Sequence, residues 1–205
     1  MLNYKLYYFN VTGLGEPIRY LLHYCGVEFE DYRFQDFDEW KNHFQDKMPM
    51  RQVPVLEIDG CEKLHQHISI CRYFGKKFNL CGSTLEEDQR IDEVMYDIND
   101  MRLSIANYYN ETVVEFKAAL KERMLSKLSF FLGKLDMLAS KNGQSFVRGG
   151  ITWVDIYYAG ISEVMSNILE RDINEDYANL TKLVAHVRNN NRIKAYLEKR
   201  PKTII

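Results

Sequence analysis

The sequence has few prolines, few cysteines and almost no charge imbalance. Its 205 residues include 4 Pro and 4 Cys, and 27 Lys and Arg face 29 Asp and Glu, for a net charge of -2. Such a chain lacks the basic excess typical of proteins that bind nucleic acid or anionic membranes. It also lacks an apolar run of membrane-spanning length, and no basic stretch with a following apolar run opens it. We therefore expect a cytoplasmic protein that binds neither nucleic acid nor membrane.

The cysteines form no C-x-x-C pair, the spacing that indicates a zinc site or a dithiol redox motif. They occupy positions 25, 61, 71 and 81, and we expect them to be reduced thiols. His65 and His67 are possible metal ligands, but no third ligand is evident near them. We therefore predict no metal site.

The pattern of apolar residues changes once along the chain, near residue 80. Before that point, four short runs favour β-strands. They are "YKLYYFN" at 4–10, "EFEDYRF" at 28–34, "VLEID" at 55–59 and "EKLH" after the Asp59-Gly60 turn. Helical patterns lie between and after these runs, and Gly26 ends the first of them, as a glycine after a helix commonly does. The order β-α-β-α-β-β-α predicts a small mixed sheet covered by helices.

Beyond residue 80 the apolar residues follow helical spacing throughout. Ser83 to Glu86 and Thr152 to Asp155 match the capping box that begins a helix. Three long helical patterns and two shorter ones complete the chain, and no internal repeat is present. We therefore predict an α/β thioredoxin-like N-terminal domain over residues 1–79 and an all-α C-terminal domain over residues 84–205.

Pro54 lies in an unexpected place, inside the strand-like run "RQVPVLEIDG" of residues 51–60. Proline cannot donate to a sheet ladder, so it is confined to strand edges, strand starts and bulges. If Pro54 opens the strand in the cis form, Val53 turns its N–H and C=O outward, where an extended peptide could pair with them. The alternative is a proline that merely ends a strand.

Six segments together resemble a known family. They are "NYKLYYFN", "GEPIRYLL", "FEDYRF", "MPMRQVPVLEIDG", "CRYFGKKF" and "GGITWVDIYYAG". These segments resemble glutathione transferases of the sigma class, which also holds glutathione-dependent prostaglandin D synthases and cephalopod lens crystallins. The resemblance extends over essentially the whole chain. It implies a homodimer that conjugates the thiolate of glutathione, as co-substrate and with no other cofactor, to small hydrophobic electrophiles such as lipid peroxidation products.

The chemistry requires the glutathione thiol as its anion, because only the thiolate attacks electrophiles well. A thiol with a pKa of ~8.5 is only slightly ionised at neutral pH, and a hydroxyl that donates to sulfur lowers that pKa. Tyr7 and Tyr8 alternate on the first predicted strand, so one faces the core and the other the site. The resemblance implies that Tyr8 donates to sulfur, while the main chain at Val53 and Pro54 pairs with the ligand.

The resemblance also implies contacts at both charged ends of glutathione. A carboxylate of the γ-glutamyl end would meet the helix N-terminus at Gln66 and His67, where the family normally has Gln-Ser. Trp40 and Gln52 match residues around the glycine end, and Asp100 matches an acid that reaches the partner's ligand across a two-fold interface. The lysine expected after Trp40 is out of register. Phe44 or Gln45 takes its position, and the possible substitutes are Lys41, His43 and Lys47.

An apolar pocket in the helical domain would bind the electrophile. Its candidate residues are Leu14, Arg102, Asn107 and Tyr157. The vertebrate prostaglandin synthases have an arginine in place of Leu14 and an acid in place of Asn99, which argues against assuming their isomerase activity. A glutathione-dependent prostaglandin isomerase therefore stays an alternative, as does a weakly active or non-catalytic binding or structural protein. "GLGEP" is a poor dinucleotide fingerprint, because Ile18 replaces its final glycine.

Overall fold

The structure, a computed structural model, describes residues 2–203. The chain divides into two compact units. The first unit contains the residues up to Leu80 together with those from Arg188 onward, and the second unit is Cys81–Val187. The change near residue 80 thus coincides with a boundary between units, whereas the last helix, which the sequence assigned to the helical domain, packs in the first unit.

A four-stranded sheet organises the first unit. Its strands are β1 (Tyr4–Phe9), β2 (Phe29–Phe34), β3 (Val55–Ile58) and β4 (Glu62–His65), in the order β2-β1-β3-β4. β1 pairs with β2 in parallel, and β3 is antiparallel to both of its neighbours. The four predicted strands and the α/β class of this unit are therefore confirmed.

Two helices cover the sheet face that carries Tyr4, Leu6 and Tyr8. They are α1 (Glu16–Cys25) and α3 (His67–Lys77), and they contact each other. Gly26 ends α1 in the left-handed conformation, with φ of 67°, and its N–H donates to the carbonyl groups of the preceding turn. This conformation is the one that a glycine adopts without a steric penalty, as the sequence predicted.

The opposite face of the sheet packs against short irregular helices. After α2 (Phe37–Glu39) come a π-helical turn at Trp40–Phe44 and 3-10 turns at Gln45–Lys47 and Pro49–Arg51. The helix expected between the second and third strands is therefore a series of short turns. Their apolar side chains join those of β1, β2 and β3 in a buried cluster formed by Tyr7, Phe34, Trp40, Met48 and Val55.

The second unit is helical, as predicted. Its helices are α4 (Leu85–Asn110), α5 (Val114–Lys141), α6 (Trp153–Leu169) and α7 (Ala178–Arg188), and α4 contacts both α5 and α6. The last helix, α8 (Asn191–Lys199), contacts α1 of the first unit. Within residues 2–203, no helix is both long enough and apolar enough to cross a membrane.

Two capping boxes were predicted, and in the structure one of them lies one residue away from its predicted position. α4 begins after Thr84, whose Oγ1 accepts the Glu87 N–H at 3.2 Å, while Glu87 accepts the N–H of Ser83. The cap is therefore one residue later than predicted, because Thr-x-x-Glu also matches the pattern there. The second box is confirmed, since Asp155 accepts the Thr152 N–H at 2.7 Å and Thr152 caps α6.

Candidate functional site

One end of the sheet gathers the predicted glutathione-binding residues of the first unit. β1 and β2 are parallel and end there, β3 is antiparallel to β1 and begins there, and β4 is antiparallel to β3 and ends there. Tyr8 therefore lies at the same end as the Val53-Pro54 segment before β3 and Gln66 after β4. Residues far apart in sequence meet there only because of this strand order.

Tyr8 is held by the connection between β1 and α1. Its side chain is 9% exposed, and its hydroxyl oxygen accepts the main-chain N–H of Leu14 at 3.0 Å. Accepting this bond uses a lone pair of the oxygen, so the hydroxyl keeps its proton as a donor. A phenol oriented in this way can polarise its O–H toward an anion.

Gly13 and Gly15 allow this close approach. A Cβ atom on Gly13 would lie 2.6 Å from the Tyr8 hydroxyl oxygen, and one on Gly15 would lie 2.7 Å from Cδ1 of the Tyr8 ring. Gly13 also has φ of 42°, in the region that favours glycine. Sequence reasoning missed both glycines, although the G-L-G spacing in a strand-to-helix connection was a signal for them.

Tyr7 faces the other side of the sheet, as the alternation of a strand requires. It lies in the buried cluster with Trp40 and donates its hydroxyl to Glu57 Oε1 at 3.4 Å. Burial and the nearby Glu57 carboxylate raise the pKa of Tyr7. The neighbour of Tyr8 is thus a core residue that holds its proton.

The Val53-Pro54 peptide bond is cis. The ladder between β1 and β3 ends at the Tyr7–Val55 pair, so Val53 lies beyond the paired part of the strand. The hydrogen bonds of the surrounding turns, among them Gln52 N–H to Pro49 O at 3.2 Å, do not include Val53. Its main chain therefore stands at the sheet end in the position that the sequence suggested for an extended ligand.

Gln66 has an unusual backbone conformation at the start of α3. Its φ and ψ are 68° and 105°, a region that residues other than glycine rarely occupy, and its exposed side chain does not cap the helix. The N–H groups of the first turn lack intrahelical acceptors, so this helix end favours a carboxylate. His67, the first residue of α3, is 8% exposed.

The residues expected at the glycine end differ in exposure. Trp40 is 4% exposed and packs against Phe9 and Phe34, with ring centroids 5.8 and 5.1 Å apart, whereas Gln52 is exposed. The turn that begins at Trp40 is π-helical, with about one more residue per turn than an α-helix, over the segment where the resemblance implies a lysine that is out of register. Lys47 lies over the Phe44 ring at 5.9 Å.

The remaining candidates lie in the second unit, apart from Leu14. Asp100 and Asn107 are exposed on α4, and Arg102 donates to Asn99 Oδ1 from Nε at 3.2 Å and from Nη2 at 3.0 Å. Tyr157 on α6 is completely buried, at 0% exposure. Their roles in a pocket for the electrophile stay predictions.

Arg19 is a residue of this site that sequence reasoning also missed. It lies on α1 with its guanidinium carbon 5.8 Å from the centroid of the Tyr8 ring, and its side chain is fully buried with that of Glu16. The signal in the sequence was a Glu-x-x-Arg pair on the first helix, one turn after the G-L-G segment.

Comparison with known proteins identifies the family. A family model described as "Glutathione S-transferase, N-terminal domain" matches residues 4–76, and one described as "Glutathione S-transferase, C-terminal domain" matches residues 99–200. "Glutathione S-transferase S1" of Drosophila melanogaster is 42% identical over 206 residues, which cover 98% of this chain and 80% of that protein. This chain belongs to the glutathione S-transferase family. The resemblance drawn from its sequence segments is confirmed at that level.

Further members of the family and solved structures agree. "Hematopoietic prostaglandin D synthase" of Gallus gallus is 34% identical over 206 residues, which cover 100% of both chains. A structure of "prostaglandin synthase D of Nilaparvata lugens" has a TM-score of 0.91 and 40% identity, and covers 98% of this chain and 100% of that chain. The relatives therefore include proteins named glutathione S-transferase and proteins named prostaglandin D synthase, so the names alone do not decide which reaction this chain catalyses.

Proposed function

We propose that this chain is a sigma-class, cytoplasmic glutathione transferase that conjugates glutathione to small hydrophobic electrophiles, with Tyr8 as the donor to sulfur. The observation that carries the proposal is the Leu14 N–H bond to the Tyr8 hydroxyl at 3.0 Å, at the sheet end where the cis-Pro54 segment and the start of α3 also lie. That arrangement fixes the oxygen of a single phenol beside the position expected for a docked tripeptide.

Tyr8 activates the thiol by stabilising its anion. Each unit by which the thiol pKa falls below ~8.5 corresponds to about 1.4 kcal/mol in favour of the thiolate. A hydrogen bond to a charged acceptor contributes about 1.5–3 kcal/mol, so one phenol suffices to make the thiolate the main species near neutral pH. The proton of the thiol leaves to solvent, and the sulfur anion then forms a bond to a carbon of an aryl halide or an alkenal. The aryl halide releases its halide ion in this step, whereas the alkenal takes up a proton from solvent after the addition.

Glutathione docks along the sheet end as an added strand. The main chain of Val53 pairs with its cysteinyl unit, next to Pro54. Gln66 and the first turn of α3, including His67, receive the γ-glutamyl carboxylate, because an N-terminal helix end favours negative charge. Gln52 and the edge of Trp40 border the glycine end. The polar contacts at both ends set the register that brings sulfur to Tyr8.

A second copy of the chain completes the site. Asp100 is exposed on α4, where a carboxylate can reach the ammonium group of glutathione bound to the partner in a two-fold dimer. One solved relative, from Necator americanus, is described as monomeric, so membership of the family does not by itself imply a dimer. The proposal of a homodimer rests on the match of Asp100 to the family's acid, and the exposure of Asp100 on α4 agrees with it.

Two positions favour transfer over prostaglandin isomerisation, one beside Tyr8 and one on α4. Leu14, whose N–H bonds the phenol, is apolar and half-buried, so it adds no positive charge beside the sulfur. On α4, position 99 is a neutral amide, whose oxygen Oδ1 accepts an N–H group of the Arg102 guanidinium. Arg102, Asn107 and Tyr157 of the second unit are the proposed lining of the electrophile pocket, and Leu14 of the first unit is proposed to contact the electrophile beside Tyr8; aryl halides, alkenals and organic hydroperoxides are the proposed substrates.

The decisive experiment combines glutathione affinity with a substrate screen. The purified chain is passed over immobilised glutathione and assayed with an aryl halide, an alkenal, an organic hydroperoxide and prostaglandin H2. We expect retention on the column and turnover of one of the first three substrates. Retention without any turnover would assign a binding or structural role, turnover of prostaglandin H2 alone would assign the isomerase, and passage through the column would refute the proposed site.

A further inference from the structure

A group of charged side chains is buried beneath the ring of Tyr8. Arg19 and Glu16 on α1 have no exposed side-chain surface, and Asp31 on β2 is 23% exposed. Arg19 Nε donates to both carboxylate oxygens of Asp31 at 3.1 Å, and Arg19 Nη1 donates to Glu16 Oε2 at 3.3 Å. We call these three residues the buried charge cluster. Burying such groups is costly, and well-packed apolar residues often serve stability equally well.

Arg19 also forms hydrogen bonds to the main chain between β1 and α1, the segment that orients Tyr8. Its Nη1 donates to Val11 O at 2.8 Å and to Thr12 O at 3.4 Å. These carbonyl groups immediately precede the Gly13-Leu14 segment, whose N–H bonds the Tyr8 hydroxyl. The guanidinium therefore contacts the Tyr8 ring on one side and anchors, on the other, the main chain that orients its hydroxyl.

Two further arginines pair with the carboxylates of the buried charge cluster and give the enlarged group an excess of positive charge. Arg33 Nε donates to Asp31 at 2.8 Å, and Arg200, beyond the end of α8, donates to Glu16 Oε1. With Arg19, three guanidinium groups thus meet two carboxylates. Tyr196 adds a neutral donor, its hydroxyl lying 3.0 Å from Glu16 Oε1.

One nitrogen of Arg19 is left over. Nη2 is buried and has no acceptor among the residues that the structure describes. This N–H group lacks a hydrogen bond within the described part of the chain, although the guanidinium itself pairs with Asp31 and Glu16, so the positive excess belongs to the three arginines and two carboxylates taken together. In a buried environment, an excess charge acts over several ångströms with little screening and favours an anion nearby.

We propose that Arg19 is a positioning residue for thiolate formation at Tyr8. It holds residues 11–14 so that the Leu14 N–H meets the phenol, and its charge stabilises the sulfur anion through the Tyr8 ring without touching the substrate. This inference rests on the proposed function, since it requires that Tyr8 donates to sulfur. Glu16 limits the effect, because its carboxylate offsets part of the positive charge.

The test compares the apparent pKa of glutathione bound to the chain and to its variants, measured from ultraviolet thiolate absorbance over a pH series. We expect Arg19→Gln to raise the apparent pKa of the bound thiol by about one unit, which is a tenfold change in its ionisation constant and lowers the thiolate fraction at neutral pH. The kcat should fall in parallel, with less than about twofold change in the KM for glutathione, because Arg19 does not bind the ligand. Arg19→Lys should restore part of the loss, since it retains the charge but not the planar fork.

Lys5→Gln is the matched control. Lys5 lies over the ring of Tyr7 at 5.0 Å on the other face of the sheet, so the change removes a cation from a tyrosine outside the proposed chemistry. We expect the pKa of bound glutathione to stay unchanged in this variant. An equal change in both variants would show that general loss of charge, and not Arg19, sets the thiol pKa.

Glu16→Gln keeps the proposal testable if Arg19→Gln fails to fold. This variant removes a negative charge and leaves the hydrogen bonds of Arg19 to Val11 and Asp31 in place. We therefore expect a larger thiolate fraction of bound glutathione. A general loss of structure would instead lower that fraction. An unchanged or smaller fraction would overturn the electrostatic role of Arg19. Tyr8→Phe is titrated in parallel. If only Tyr8→Phe raises the thiol pKa, the inference about Arg19 fails alone; if neither does, the proposed function fails with it.

Discussion

At the residue scale, Tyr8 and Tyr7 show how one strand gives adjacent identical side chains different chemistry. The Tyr8 oxygen accepts the N–H of Leu14, whereas Tyr7 donates to Glu57 within the buried cluster. The pKa of Tyr7 is raised by burial first and by Glu57 second. Tyr7 donates to a carboxylate on the core face of the sheet, whereas Tyr8 lies on the other face, where we propose that it serves a ligand at the sheet end.

Replacing Tyr8 by phenylalanine removes the proposed donor and leaves the ring. We expect the pKa of bound glutathione to rise by about one unit or more and kcat to fall about tenfold or more, because a hydrogen bond to an anion is lost. Affinity for glutathione should change little. Tyr7→Phe is the control, with unaltered thiol pKa. Equal thiolate absorbance in Tyr8→Phe and the unmodified chain would remove Tyr8 from the mechanism.

Gly13→Ala tests the close approach of the main chain to Tyr8. A Cβ atom would lie 2.6 Å from the phenol oxygen, so the ring or the connection has to move. We expect kcat to fall about fivefold, because disrupting the Leu14 bond to the phenol removes about 1 kcal/mol of stabilisation from the oriented donor. Gly60→Ala is a matched control, since Gly60 has φ of 72° but no atom within 4 Å of its Cβ position. Comparable activity in both variants would contradict the role of Gly13.

At the element scale, α6 begins at a buried carboxylate. Asp155 is 0% exposed and accepts the N–H groups of Phe146 at 2.8 Å and Thr152 at 2.7 Å, so it joins the helix start to the preceding loop. Burial raises its pKa from the ordinary value of 3.8 to about 6, although these hydrogen bonds favour the ionised form. The same carboxylate therefore organises the helix start and makes its stability depend on pH.

The sign of this pH dependence follows from the raised pKa. Between about pH 4 and pH 6 the folded chain holds a proton on Asp155 that the unfolded chain has lost, so its contribution to stability falls as the pH rises through that range. The full change is about 3 kcal/mol at most. We expect the free energy of unfolding, measured with urea, to fall across this range in the unmodified chain relative to Asp155→Asn. A constant difference between the two at pH 4 and pH 7 would contradict the raised pKa.

The π-helical turn at Trp40–Phe44 is another element-scale feature with a physical cause. An extra residue in a short helix is accommodated by a wider turn, which keeps Trp40 and Phe44 on the buried side. Because the wider turn keeps both rings on the buried side, the polar residues between them take positions that differ from those in an α-helical turn. In the proposed docking, the glycine end of glutathione faces this turn, whose basic residues differ from the pattern that the resemblance implies.

At the scale of the whole molecule, the last residues of the chain return to the first unit. α8 contacts α1, and Tyr196 and Arg200 both donate to Glu16. The buried charge cluster is thereby closed by side chains that lie 180 and 184 positions away in sequence. The end of the chain is thus part of the environment of Tyr8.

Asp100→Ala tests the proposed two-fold assembly. If Asp100 binds the ammonium group of the partner's glutathione, its loss should raise the Kd about tenfold, the equivalent of about 1.4 kcal/mol for a charge-assisted bond. The dimer itself should persist in sedimentation, since an exposed carboxylate contributes little to the interface. Asp97→Ala, on the same helix, is the control. A glutathione Kd that titration calorimetry finds unaltered would exclude Asp100 from the site.

The sequence alone determined the periodic and local features of this protein. The strand runs, the glycine after α1, the capping box at Thr152 and the proline before β3 all depend on residues a few positions apart, so their patterns are legible without a fold. Alternation on β1 also showed that Tyr7 and Tyr8 face opposite sides. The family followed from segments distributed over the whole chain.

Only the tertiary structure decided which distant groups meet. The strand order β2-β1-β3-β4 brings Tyr8, Val53 and Gln66 to one end of the sheet. Packing of α1 places Arg19 against the ring of Tyr8. Gly13 and Gly15, which look like ordinary turn residues in the sequence, lie so close to the Tyr8 side chain that a Cβ atom on either would clash with it. These contacts join residues that are far apart in the sequence. They depend on how the strands are connected and how the segments pack, so no local pattern of residues predicts them.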